Sequence, residues 1–116
     1  MVRLGKFDAA ESPDVQIDAL LTDLEYAVAI LERAGGPDGW IRWLKSDHDR
    51  ICARDIYGLD HLLSAFGGMG SFNDVVLHSM NGNRGSDEEL VLANEHLRIV
   101  RSRIWDRAKV LLREYG

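Results

Sequence analysis

The residues of this chain that could do chemistry are four histidines, His48, His61, His78 and His96, a single cysteine, Cys52, and a glycine block, Gly67-Gly68-Met69-Gly70-Ser71. The histidines form no His-Glu-x-x-His or Glu-x-x-His pattern and there is no cysteine–histidine cluster, so neither the common zinc signatures nor a di-iron bundle site is spelled out and no metal is expected. Asp74 and His78 stand one turn apart, which supplies two ligands at most. Cys52 has His48 one turn earlier, a weak nucleophile–base pair, and is expected to be a buried, inert thiol. Ser64, Ser71 and Ser79 lack a Gly-x-Ser-x-Gly setting, so no catalytic residue is assigned. The glycine block follows a helical pattern rather than a strand, and no lysine follows it. It is a poor phosphate cradle, and no cofactor is expected. One arrangement keeps an enzyme or ligand-binding domain open: His48, His61, Asp74 and His78, with Asp49, Asp55 and Asp60 nearby, converging on a polar cleft over the middle helices.

The glycine block has a second use. Gly67, Gly68 and Gly70 break an apolar helical pattern and are followed at once by Ser71, Phe72, Asn73 and Asp74. Glycine tolerates positive φ, so the block can turn the chain tightly and let Phe66, Met69 and Phe72 pack closely. It can equally present backbone and polar side chains to another molecule. The candidate interaction surface is therefore Gly68, Met69, Ser71, Phe72, Asn73 and Asp74, joined by Trp40 and Trp43, two indoles one turn apart that can fill a groove.

These residues must be positioned by helices. Ser12-Pro13 opens the first, with serine as N-cap and proline at the first helical position. Ile17, Leu20, Leu24, Ala27, Leu31 and Ala34 then repeat by three and four, and Gly35-Gly36 ends the run, which predicts a helix over 13–34. Ile41, Leu44, His48 and Ile51 predict a second over 40–53. Asp55 caps a third over 56–66, and Val75, Val76, Leu77 and Met80 fall in a short fourth over 73–80. Ser86 with Glu89 is a capping box that opens a last helix over 87–115. The expected architecture is an all-α, single-domain bundle. Its two long helices pack lengthwise, and the shorter middle helices and the glycine-rich turn close over them. Residues 1–11 carry no period and are expected to be a flexible arm, leaving 12–116 as the one helical domain.

A chain of 116 residues suits one domain, and a net charge of −5 disfavours nucleic acid and anionic membrane. The basic series Arg98, Arg101, Arg103, Arg107, Lys109 and Arg113 reads as a solvated helix face. No apolar run approaches the ~20 residues of a membrane span. The lone cysteine fits a reducing compartment, so a cytoplasmic location is expected.

The block Leu62-Leu63-Ser64-Ala65-Phe66-Gly67-Gly68-Met69-Gly70-Ser71-Phe72-Asn73-Asp74, followed by Asn81-Gly82, resembles a family of small bacterial proteins classified only as a domain of unknown function. Gly39-Trp40, Trp43-Leu44, the Asp47–Ile51 segment and Arg101-Ser102-Arg103-Ile104-Trp105 take part in the resemblance, which runs over roughly residues 15–112. It implies an all-helical, cytoplasmic bacterial protein and brings no activity, cofactor or catalytic residue. The expected function is a non-catalytic protein-interaction or regulatory module, of the immunity-protein or antitoxin kind, that binds an unidentified protein partner through Gly67–Asp74. The alternatives are the polar-cleft enzyme or ligand-binding domain and a homodimer joined through Ile104, Trp105 and Leu112 of the last helix.

Overall fold

The computed structural model describes residues 12–67 and 70–115; the expected N-terminal arm, Gly68 and Met69 lie outside the described residues. The fold is all-α. Helix α1 spans Pro13–Ala34, α2 Asp38–Cys52, α3 Tyr57–Leu63 and α4 Asp87–Tyr115, with two short 3₁₀ turns at Phe72–Asp74 and Ser79–Asn81.

Local chemistry starts both long helices and stops the first. Ser12 accepts a hydrogen bond from Val15 N at 3.2 Å, and Pro13 occupies the first helical position. Gly35 takes the left-handed conformation at φ 83°, and the N–H of Gly36 returns to Leu31 O at 2.9 Å, closing α1. At α4 the capping box is reciprocal: Ser86 N donates to Glu89 Oε1 at 2.8 Å, and Glu89 N donates to Ser86 Oγ at 3.1 Å. The 29 residues of α4, at about 1.5 Å each, run most of the length of a body 49 Å long.

The core lies where α1 and α4 pack lengthwise and α2 and α3 close over them. Leu20, Leu24, Ala27 and Leu31 of α1 meet Leu97, Val100, Ile104, Ala108 and Leu111 of α4, with Leu44 and Leu62 from the middle helices, all of them buried. Fully burying one such leucine contributes roughly 1.5–3 kcal/mol. The N–H of Asp55 returns to Arg50 O at 2.8 Å at the end of α2, where Arg54 adopts φ 66°. Asp55 then accepts from Tyr57 N at 3.0 Å and so starts α3, as its position in the sequence suggested.

Four expectations need correction. The helix expected over 73–80 does not form. Only the two 3₁₀ turns do, and residues 75–78 between them are irregular. Side chains here bond the backbone in non-helical ways: Ser71 Oγ accepts from Asn73 N, His78 Nδ1 accepts from Met80 N, and Asn81 donates to Val76 O. Helix α3 stops at Leu63 rather than 66, because Ala65 N and Phe66 N bond three residues back and wind it into turns. Cys52 is exposed rather than buried, since α2 turns its core face through Leu44 and Ile51 and leaves position 52 outside. Helix α2 begins at Asp38, slightly before the expected 40.

Gly58 has a packing role that local propensity hides. A Cβ there would sit 2.8 Å from Arg50 Cβ and 3.1 Å from Ile51 Cγ1, so its absence sets how closely α3 approaches α2. Gly39, exposed on α2, would meet nothing within 4 Å. Gly58→Ala is therefore expected to lower stability by about 1–3 kcal/mol through overpacking. Gly39→Ala should raise it by about 0.4–1 kcal/mol through the unfolded chain. Urea unfolding of the two variants measures both signs.

Candidate interaction surface

The glycine turn is built outward from its buried end. Gly67 and Gly70 lie at φ 90° and 77°, a region that costs an L side chain strain but not glycine. The chain then folds back, and Phe72 N donates to Ala65 O at 2.8 Å. Asp74 accepts from Gly70 N at 2.7 Å and closes the turn from outside. Phe72 is the anchor. It is 0% exposed, 5.5 Å from the Trp40 ring and edge-on to Phe66 at 5.8 Å. Arg101 of α4 lies over its ring at 5.7 Å and donates through Nη1 to Phe72 O and Val75 O at 3.0 and 3.2 Å. Further along, Asn94 of α4 grips Leu77 from both sides, accepting from its N–H at 2.8 Å and donating to its carbonyl at 2.9 Å. The turn is thus held to α4 by one aromatic plug and two polar side chains.

The residues singled out in sequence divide between interior and surface. Phe72 belongs to the core and Ser71 is buried as the cap of the first 3₁₀ turn, so neither is a contact surface. Trp40 and Trp43 are half-buried, 5.1 Å apart, and packed inward against the core. Asn73 and Asp74 are exposed. Beside Asn73 opens a groove of about 360 Å³, lined by Phe66, Gly67, Asn73, Arg98, Arg101, Ser102 and Trp105. Trp105 stands 5.3 Å from Phe66, with the Lys109 ammonium 5.1 Å over its ring. Sequence reasoning set Arg98 and Arg101 aside as solvated helix. The signal that could have found this face is the spacing of positions 98, 101, 102, 105 and 109, which fall on one side of a helix.

The four members of the expected polar cleft each bond a different partner. His48 Nε2 meets Glu25 of α1 at 2.8 Å, Asp74 serves the turn, and His78 caps the second 3₁₀ turn. His61 donates from Nδ1 to Asp47 Oδ1 at 2.5 Å, because an ionised carboxylate only accepts. No group of three potential metal ligands occurs among the described residues. Ile104, expected at a dimer face, is 0% exposed and lies in the core, while Leu112 is half-buried against it and Trp105 is half-buried beside Phe66. A larger groove of about 510 Å³ runs between α1 and α4, and most of its polar groups are engaged within the fold. Glu89 holds the capping box, Arg84 donates to Glu32 O, and Tyr26 bonds His96 at 3.2 Å.

Asp47 is a buried ionisable group that sequence reasoning missed, as is Asp23, which pairs with Arg103. The His61 ring that holds Asp47 is stacked on Trp43 at 4.3 Å. Burial pushes its carboxyl above the ordinary 3.8, against the opposing pull of the His61 bond and charge, of Arg50, and of the nearby Trp43 indole. Asp47 Oδ2 and the indole nitrogen form no hydrogen bond of good geometry. The indole N–H nonetheless lies close enough to favour the carboxylate.

The folded state therefore holds more protons than the unfolded state between about 3.8 and the raised value. Stability from this group must fall as pH rises through that interval. Asp47→Asn has no such titration. The stability of the native chain minus that of Asp47→Asn is expected to decrease with rising pH and then level off, as followed by urea unfolding at stepped pH. An increase would mean that the His61 pairing outweighs burial.

No curated protein matches the chain, and no solved structure does. Residues 33–86, from the end of α1 through α2, α3 and the irregular segment to the α4 cap, match a domain of unknown function, DUF6966. The central glycine block lies inside the match and Arg101–Trp105 outside it, so over residues 33–86 the chain resembles that uncharacterised family.

Proposed function

We propose that this chain is a non-catalytic protein-interaction module that engages a partner protein where the glycine turn meets α4. The observation that carries the reading is the contrast between the two ends of the turn. Phe72 is fully buried and tied to α4 through Arg101, so this end of the turn is held in place. Asn73 is exposed one residue later, on the wall of a groove with two aromatic side chains. A rigid polar rim beside an aromatic floor suits recognition, because little conformational entropy is lost on binding. The enzyme alternative has less support, since its four polar residues serve separate local bonds.

A photo-crosslinking amino acid at Asn73 tests the reading, with one at exposed Ser46 on α2 as the control. Position 73 is expected to capture one discrete protein in cells that position 46 does not. That protein, made recombinantly, should bind the native chain and lose at least about tenfold in affinity, some 1.4 kcal/mol, to Asn73→Glu. Identical capture from both positions, or none from 73, would overturn the assignment.

A further inference from the structure

We infer that the groove between the glycine turn and α4 receives an acidic segment of the partner polypeptide, with its carboxylates on Arg98 and Arg101 and an apolar side chain against Trp105. This rests on the interaction reading above and names the chemistry of what binds there.

Charge complementarity is the first argument. The chain is acidic overall, yet two guanidinium groups and no carboxylate line this groove. Lys109 adds a third cation at its edge, over Trp105. Arg101 is half-buried, and its two carbonyl bonds use Nη1 alone. Among the described residues no carboxylate hydrogen-bonds it. Asp74 acts on it only at a distance and already holds Gly70 N–H. Burial lowers its proton affinity, so an incoming anion would relieve a desolvated charge. Arg98 is exposed and bonded to Glu95 at 2.6 and 3.2 Å. Such a surface pair is worth roughly 0–1 kcal/mol, so exchange for a partner's carboxylate costs little.

Shape is the second argument. The space of about 360 Å³ suits a few residues rather than a helix or a duplex. Phe66 and Trp105 offer an aromatic wall, while Ser102 and Asn73 supply neutral hydrogen-bonding groups at the rim. A nucleic acid also carries anions and stackable rings. Its affinity depends on many phosphate contacts along a basic track, however, and the net charge of −5 repels a long polyanion.

The test uses the full chain labelled with ¹⁵N and a capped peptide of four glutamates around a central phenylalanine. The same peptide with lysines and a short oligothymidylate serve as comparisons. The glutamate peptide is expected to shift the Trp105 indole N–H, the Asn73 side-chain amide and the Gly67 amide, and to do so less as salt is raised. Arg98→Glu combined with Lys109→Glu, both at exposed positions, should weaken it at least tenfold and leave the other resonances in place. Equal or tighter binding of the lysine peptide or the oligothymidylate would overturn the inference, as would shifts scattered away from the groove or no binding at millimolar peptide. The protein captured at Asn73 separates the two readings. If it binds the double variant as tightly as the native chain, the acidic-segment inference fails while the interaction module stands. If nothing is captured at Asn73, the module reading fails whatever the peptide does.

Discussion

The backbone between α3 and α4 has too little helix to satisfy its own polar groups, and much of the molecule follows from that constraint. A buried N–H or carbonyl without a partner costs about as much as a lost hydrogen bond. Here many of the partners are side chains. Arg101 serves Phe72 and Val75, Asn94 serves both groups of Leu77, and Asn83 serves His78 N–H together with the carbonyls of Ala34 and Gly36. Helix α4 is therefore a rack as well as a core element. The apolar face around Leu97 and Ile104 packs on α1, and the adjoining face holds the irregular chain in register. Whatever the turn presents outward, it presents at a fixed distance from Arg98 and Trp105.

The middle helices are tied down by a different device. Asp47 of α2 and His61 of α3 join across their interface, with Trp43 stacked on the imidazole. The near contact at Gly58 brings the two helices together a few residues away. A buried carboxylate is weak evidence for stability, since its desolvation offsets the attraction to its partner. What it does specify is pairing. A shift of α3 along α2 by a turn would strand Asp47 among apolar side chains. The platform that receives Phe72 through Trp40 is built on this same α2–α3 layer, so the polar tie and the glycine turn share one support.

Local signals were legible where they sufficed on their own. Ser12-Pro13, the Gly35-Gly36 stop and the Ser86/Glu89 box act within a few residues; α1 begins and ends with the first two, and α4 begins with the third. The stretch over 73–80 was misread because Val75, Val76, Leu77 and Met80 imitate a helical stripe. Its carbonyls and N–H groups find better partners on α4, far away in sequence. Phe72 looked like a recognition residue by composition and became a core residue by position. Cys52 looked buried because apolar neighbours flank it, yet the helix rotates it outward.

The periodic placement of apolar residues and the caps at each end were enough to determine an all-helical bundle, its two long helices and the location of its glycine turn. Both depend on contacts within one or two helical turns. Which side chains of the turn face solvent, which arginines stand beside them and which acids are buried were decided only in three dimensions. Asp47 and His61 lie fourteen residues apart, Asn94 and Leu77 seventeen, and Arg101 and Phe72 twenty-nine. No short-range pattern encodes those meetings, because they exist only once the packing of the helices has brought the segments together.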